Sequence, residues 1–452
     1  MIVMKFGGTS LANAERIKRV AQIIKERLDK KPIVVVSAIS GITDLLIEAA
    51  RKAKQVRKTG EKFPSNLIEE IKNKHLCILD QLNLPNSLLN DEFQEIKSLL
   101  QGIYYTMELT PRTTDFVASF GEIMSSKIVA EYLSKNKIKA KAYNAWDIGL
   151  ITDSTFGKAE PIHDIVEKEL ATRIKRIAQL PVITGFIAKE IKGEITTLGR
   201  NGGDFTAAII GAYLNPEEIQ IWTDVDGVMT ADPKIIPSAK TIKNLSFDEA
   251  CELAFFGIKV IHPKTIQFAI QRNIPVRILN SYNPSGEGTL ILEKIEKDED
   301  GTIKGIACEK NVTLFNVKSA KMLETHGFLA KIFEIFNKHK ISVDVISTSE
   351  VSVSFSVNNS NLVSDKIDEV IKELEQIAAE VQIEKDAAVI CMVGKGIKDR
   401  LDVQAAAFDV LRENQIYTKM ISQALSGINI TIILNRKDAD KAIKALHKKF
   451  IV

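Results

Sequence analysis

"VMKFGGTS" (Val3–Ser10) reads as a short apolar strand, two glycines, two hydroxyls and the start of an amphipathic helix. Glycine after a strand lets backbone N–H groups approach a ligand, and a helix that begins there adds a positive dipole end. Lys5 interrupts the strand two residues before the turn. A lysine in so short an apolar run is costly unless it faces a cleft holding an anion. The arrangement recurs in "SAISGITD" (Ser37–Asp44) and in "TLGRNGGDFTAA" (Thr197–Ala208). Three such turns at strand C-termini point to an open parallel sheet, whose ligands bind at that end.

The rest of the first 295 residues fits such a sheet. "IVVVS" (Ile33–Ser37), "PVITGFIA" (Pro181–Ala188), "IQIWTD" (Ile219–Asp224) and "PVRIL" (Pro275–Leu279) are continuous apolar runs, the mark of strands buried on both faces. Between them lie amphipathic helices, one with the stripe Ile17, Val20, Ile24 and Leu28, another with Val117, Phe120, Met124 and Ile128. The fold class is therefore α/β, a mostly parallel central sheet with helices on both faces. Residues 60–110 are strand-poor and read as a helical insertion beside the sheet, a wall or lid over a site.

Glycines and charges cluster in Tyr282–Gly305, which sets the end of this domain near 295. Beyond it the chain repeats. Phe328–Val357 matches Val403–Ile433 at an offset that puts Phe333 on Phe408, Ile341 on Ile416, Ile346 on Ile421 and Ser347 on Ser422. In the first copy Val351, Val353, Phe355 and Val357 share a face; in the second Ile428, Ile430 and Ile432 do. Strict alternation predicts an antiparallel sheet with one face buried. Two α+β units of βαββαβ form follow, at 305–382 and 383–452.

Composition excludes several functions. A net charge of +3 over 452 residues gives no footprint for nucleic acid, and no run approaches the ~18 apolar residues of a membrane span. The opening residues lack the form of a signal peptide. Cys77, Cys251, Cys308 and Cys391 have no metal-ligand spacing and are expected to be reduced core residues of a cytoplasmic protein. No H-E-x-x-H or G-x-S-x-G is present, so protease and esterase readings fall away. "WTDVDGVMTADPK" (Trp222–Lys234) lacks the closing glutamate of a calcium loop, and no metal site is expected.

What remains is an anion-binding cleft. Arg200 suits bidentate contact with a carboxylate or phosphate. Asp204 stands at a helix start, as an N-terminal cap or as a functional carboxylate. Glu122, in "FGEIMSS", lies off its helix's apolar stripe, and Lys259, in "FGIKVIHPK", offers another cation. Several cations with separate carboxylates suit phosphoryl transfer, where catalysis is mostly positioning and charge stabilisation.

"KFGGTS", "SAISGITDLL", "FGEIMSS", "TTLGRNGGDFTAA", "IWTDVDGVMTADPK" and "FGIKVIHPKT", in this order, resemble the aspartate kinases of the amino-acid kinase family. The tail resembles their paired regulatory ACT domains, and the likeness spans essentially the whole chain. The resemblance implies transfer of the ATP γ-phosphoryl group to L-aspartate, giving 4-phospho-L-aspartate and ADP. That step opens synthesis of lysine, threonine, methionine and, in many bacteria, diaminopimelate. It implies that Lys5 stabilises the transferring phosphoryl group, with Gly7 and Gly8 donating N–H groups. Thr43, Glu122 and Arg200 would hold aspartate, and Asp204 would organise Lys5. Thr223, Asp224, Met229, Lys234 and Lys259 would surround ATP, whose phosphates Mg²⁺ would screen.

The tail looks like that of lysine-inhibited members, with Asp344 accepting the cationic amino group of L-lysine. Met322, Thr325, Gly327, Phe328, Leu329, Ser342, Val343, Thr348, Ser349 and Glu350 are the matching pocket positions. The resemblance further implies a homodimer through the ACT domains, with a tetramer left open, and no fused homoserine dehydrogenase after Val452. The sequence departs from the family's G-R-G-G-S-D at Asn201 and Gly203. Met229 and Lys234 replace the tyrosine and arginine that lysine-sensitive members commonly carry. Two alternatives stay open: a kinase of another acyl acceptor such as glutamate, and an amino-acid sensor whose kinase domain is only a scaffold.

Overall fold

The computed structural model describes residues 1–59, 63–258, 263–295, 302–323, 326–359, 362 and 364–451. Among these the chain forms two compact units. The first takes Met1–Val228, Lys243–Phe247 and 263–294; the second takes Met229–Ile242, 248–258 and 302–451.

The strands of the first unit are β1 (Val3–Phe6), β2 (Ile33–Val36), β3 (Ala140–Tyr143), β4 (Ile151–Thr152), β5 (Leu180–Thr184), β6 (Ile187–Glu190), β7 (Ile195–Thr197), β8 (Ile219–Thr223), β9 (Asn244–Ser246), β10 (Val276–Asn280) and β11 (Thr289–Leu292). Eight of them form one sheet in the order β3-β5-β2-β1-β8-β10-β11-β9. All neighbours from β3 to β10 run parallel; β11 turns back against β10, and β9 pairs parallel to β11. The loops after β1, β2, β5, β8 and β10 therefore leave from one edge, where the glycine turns lie. A small second sheet joins β4, β6 and β7.

Alternation along β1 sends Met4 and Phe6 into a core with Val34, Val36 and Trp222. That core is closed by α1 (Ala14–Lys25), α2 (Ile42–Thr59), α3 (Ser65–Gln81), α4 (Asn90–Thr106) and α5 (Pro111–Lys135). The stripe Val117, Phe120, Met124 and Ile128 is buried as expected. Leu28 is not: α1 ends at Lys25 and Leu28 is exposed beyond it. The 60–110 stretch is helical, and Leu67, Ile71, Ile78 and Leu100 join the same core, so its described part is a wall rather than a loose lid. The opposite face of the sheet carries α6 (His163–Ile174) and α7 (Gly202–Leu214).

In the second unit α8 (Phe247–Phe255) packs from Asp248 onward, and α9 (Pro263–Gln271) returns to the first. Two stretches inside the expected 1–295 domain thus pack with the C-terminal repeats. Buried side chains hold them there: Ala231 and Ile236 enter the repeat core, and Glu249 is fully buried and ion-paired to Lys304 at 2.9 Å. The strands β12 (Gly305–Lys318), β13 (Ile346–Thr348), β14 (Ser352–Asn358), β15 (Glu380–Val393), β16 (Thr418–Ser422) and β17 (Asn429–Asn435) form one antiparallel sheet, order β13-β14-β12-β15-β17-β16. The helices α10 (Phe328–Lys338), α11 (Ser364–Ile377), α12 (Leu401–Glu413) and α13 (Ala439–Phe450) complete it.

Two cores share the long strands. Ile306 of β12 and Ile390 and Met392 of β15 pack with α12 and α13, whereas Phe315 and Val317 of β12 pack with α10 and α11. The first copy is therefore set inside the second, and the limit between 382 and 383 falls within β15. The alternation expected of the second copy is also incomplete: Asn429 to Leu434 are all buried, so both faces of β17 are covered.

Candidate active site

Lys5 lies on the side of β1 opposite Met4 and Phe6, and α7 begins on that side with Asp204 in its first turn. Their charges meet at 2.5 Å, Lys5 Nζ to Asp204 Oδ1, with side chains 11% and 6% exposed. The contact is an ion pair without good hydrogen-bond geometry, since Oδ1 has no properly directed donor. Asp204 is not the N-cap of α7; that position is Asn201, in the left-handed region at φ 55°. Asparagine is among the few residues with a side chain that enter that region readily, which accounts for its replacing a glycine.

Gly203 is explained by its neighbours. A Cβ there would stand 2.7 Å from Ser37 Oγ and 3.1 Å from Lys5 Cε. The Ser37 hydroxyl, at the end of β2, thus occupies the space that a serine at 203 would need. Behind it a Cβ on Gly185 would lie 2.8 Å from the Gly203 Cα. This approach breaks the run Pro181–Ala188, which the sequence presents as one strand. The chain bends at Gly185–Phe186, with Phe186 at φ 65°, and continues as β6 in the other sheet. The β1 turn joins the same cluster, the Ala38 carbonyl sitting 2.8 Å from where a Gly8 side chain would begin. The Gly7 N–H, expected to face phosphate, instead donates to the Trp222 carbonyl at 3.1 Å, which leaves Gly8 as that turn's other glycine amide.

Glu122, on α5, is 3% exposed. Its Oε1 accepts the Ala38 N–H at 3.2 Å, and its Oε2 has no partner. Burial pushes its carboxyl up to about 8, against the opposing pull of the Ala38 N–H and the Lys5 charge. An orphaned buried carboxyl oxygen is expensive unless a donor, such as a ligand's ammonium, arrives. Thr43 Oγ1 lies 3.4 Å from where a side chain on Gly121 would begin. Arg200 is exposed and makes no ion pair among the described residues.

At the next strands, Thr223 ends β8 and donates to Asp224 at 3.2 Å. Ser281 after β10 meets Ser10 hydroxyl to hydroxyl at 2.8 Å, a pairing with no signal in either local stretch. Met229 and Lys234 belong to the second unit, where Met229 bridges to Thr241 and Lys234 is exposed. Lys259 lies outside the described residues. Sequence reasoning also passed over Ser37 and Asp115. Asp115 stands seven residues before Glu122 on one helix face, a spacing that was available to be read.

In the regulatory unit, Asp344 lines a small cavity with Phe255, Phe256, Glu309 and Asn358. Burial and the Glu309 charge push its carboxyl up to about 6, against the Asn358 backbone N–H. Met322, Val343 and Phe328 are partly or wholly buried around α10, and Gly327 precedes that helix at φ 78°. Leu329, Ser342, Thr348, Ser349 and Glu350 are exposed. Thr325 lies outside the described residues. No helix among the described residues is long and apolar enough to cross a membrane.

Comparison with known proteins assigns a family to each half of the chain. The profile of the Amino acid kinase family matches residues 1–280, and that of the ACT domain matches 315–364 and 390–450. The chain is 40% identical to "Aspartokinase 3, chloroplastic" of Arabidopsis thaliana over 460 residues, 99% of this chain and 81% of that one. It is similar to the structure of E. coli aspartokinase III in complex with aspartate and ADP (R-state), at TM-score 0.86 and 32% identity with both chains fully covered. It is also similar to the same enzyme in complex with lysine and aspartate (T-state), at TM-score 0.77 and 31% identity over both full chains.

Proposed function

The chain belongs to the aspartokinases of the amino acid kinase family, and on that premise we propose that it transfers the γ-phosphoryl group of ATP to the side-chain carboxylate of L-aspartate. The products are 4-phospho-L-aspartate and ADP, the first step toward lysine, threonine and methionine. The observation that carries the reading is the Lys5–Asp204 ion pair, set where the glycine turns converge and beside the half-satisfied Glu122.

In this reading Arg200 clamps the α-carboxylate of aspartate, Glu122 receives its ammonium group and Thr43 supports it. The side-chain carboxylate is left to attack the γ-phosphorus; an O–P bond forms and the bond to the β-phosphate oxygen breaks. That nucleophile is ionised at neutral pH, so no general base is required. Lys5, aligned by Asp204, stabilises charge on the equatorial oxygens, and Gly8 offers its amide. Thr223 and Asp224 serve ATP; a role there for Met229, Lys234 and Lys259 rests on the family resemblance alone. Among the described residues no cluster of three His, Cys, Asp or Glu side chains could hold a metal on its own, and Asp204 is engaged by Lys5. Mg²⁺ would therefore enter on the ATP phosphates, where it neutralises charge.

Lysine would act through Asp344 and the matching ACT positions named from the resemblance, in a homodimer, by binding the less active arrangement more tightly. The test is trapping of the acyl phosphate as a hydroxamate with ATP, Mg²⁺ and either L-aspartate or L-glutamate, with lysine or threonine added. Product from aspartate alone, suppressed by lysine, is expected. Preference for glutamate, or no product, would overturn the assignment.

A further inference from the structure

Asp115 is a buried carboxylate that the chemistry above does not use. It is 3% exposed and has no cation partner among the described residues. Its Oδ2 accepts the backbone N–H of Gly157 at 2.7 Å and that of Thr197 at 2.9 Å; its Oδ1 accepts the Thr197 hydroxyl at 2.9 Å. Those donors sit on both sides of the turn that presents Arg200. Thr197 ends β7 three residues before Arg200, and Gly157 lies against Gly199, its carbonyl 3.4 Å from where a side chain there would begin. The Thr197 carbonyl in turn accepts the Ala159 N–H at 2.9 Å, closing the two segments on each other. Burial pushes the Asp115 carboxyl up from its ordinary value, and these three donors oppose that shift.

Glu122 follows Asp115 by seven residues on α5, almost two turns later and about 10 Å along the same face. One helix therefore holds both turns. Glu122 anchors the turn after β2 through the Ala38 amide, and Asp115 anchors the turn that carries Arg200. Arg200 has no ion pair among the described residues, so its backbone sets its reach.

We propose that Asp115 is a positioning residue that fixes the Arg200 turn at a set distance from Glu122, and so gauges the spacing between the α-carboxylate and α-amino group of the bound amino acid. The amino-acid part of this inference rests on the proposed function. Asp115 touches neither substrate; it acts through the Gly157 and Thr197 amides.

Two variants of the full-length chain test it. Asp115→Ala removes every acceptor. Asp115→Asn keeps an oxygen for the two N–H groups, and its amide can donate to the Thr197 hydroxyl. Hydrogen exchange comes first and needs no turnover. In Asp115→Ala the Gly157 and Thr197 amides should exchange faster by on the order of tenfold or more, those near Ala38 should not, and Asp115→Asn should restore most of the protection. Steady-state kinetics follow: in Asp115→Ala the KM for aspartate should rise about tenfold or more with the KM for ATP within about twofold, and Asn should recover it. Unchanged exchange, or an Asn variant no better than Ala, would overturn the anchoring. A fall in kcat with both KM values unchanged would overturn the gauge. If the wild type makes no acyl phosphate, the proposed function and the gauge fail together, while exchange still decides whether Asp115 anchors the turn. Should Asp115→Ala not fold, Asp115→Asn against Thr197→Val gives the same comparison, the valine removing one bond of three.

Discussion

Glu122 and Ala38 are joined by one hydrogen bond of 3.2 Å, which uses only half of the carboxyl group; the other oxygen is buried and unpartnered. With its carboxyl pushed up to about 8 from an ordinary 4.5, Glu122 favours the neutral form in the ligand-free protein. Its contribution to stability is then fully present below about 4.5 and is lost as the pH rises through about 8. The melting temperature of the ligand-free wild type should fall between pH 4.5 and 8 more than that of Glu122→Gln. Aspartate should bind more tightly over the same rise, because its ammonium needs the ionised partner. Parallel melting curves for the two proteins would remove Glu122 from this role.

Lys5→Met leaves Asp204 buried beside an apolar chain. Loss of a preorganised charge at a phosphoryl group typically costs about 10²–10³ in turnover. The hydroxamate rate should fall by that order while the KM for aspartate changes little. A raised KM with kcat retained would mean that Lys5 binds substrate rather than serving the transfer.

Gly203→Ser introduces a Cβ 2.7 Å from Ser37 Oγ and 3.1 Å from Lys5 Cε. The hydroxyl of Ser37 must rotate and Lys5 must shift, so kcat should fall. Ser37→Gly in the same chain should recover it, a coupling of about 1 kcal/mol in the double-mutant cycle. Additive effects would show that the two residues do not share this space.

Asn201 holds a left-handed backbone at φ 55°. Asn201→Gly should be close to neutral, and Asn201→Val should cost about 1–2 kcal/mol, read as a lower denaturation midpoint. A valine variant as stable as the wild type would mean that the turn has another conformation.

Asp344→Asn should leave activity without effector intact and abolish inhibition by lysine. In the wild type, inhibition should weaken as the pH falls below about 6, where the Asp344 carboxyl takes up its proton. Inhibition constants measured from pH 5.5 to 8 decide this; a flat profile would assign the cation to another group.

Much of the site was legible because its groups lie beside turns whose chemistry is local. Lys5 is a costly residue within its own strand, and Asp204 follows its own glycines, so each could be singled out from its own turn, while their meeting was implied by the family resemblance. The contacts that were missed depend on separate strands approaching in space. Nothing near Ser37 shows that it will face Gly203, and nothing within Pro181–Ala188 shows that Gly185 must pass that turn and bend the strand. The Gly7 amide was misassigned for a similar reason, since its acceptor, Trp222, lies on a neighbouring strand far along the chain. The repeat was plain as a pattern, but the pattern does not reveal which half of a long strand each core takes.

That sharing governs how the regulatory half can come apart. Because β12 and β15 each run through both cores, a single cleavage anywhere between them opens the enclosed copy and also cuts the stretch of chain that joins the two strands of the enclosing one. Melting of one core unzips strands that the other needs for its own pairing. The two repeats are accordingly expected to melt in one step, and pieces made by cutting at 382 should not fold as separate modules.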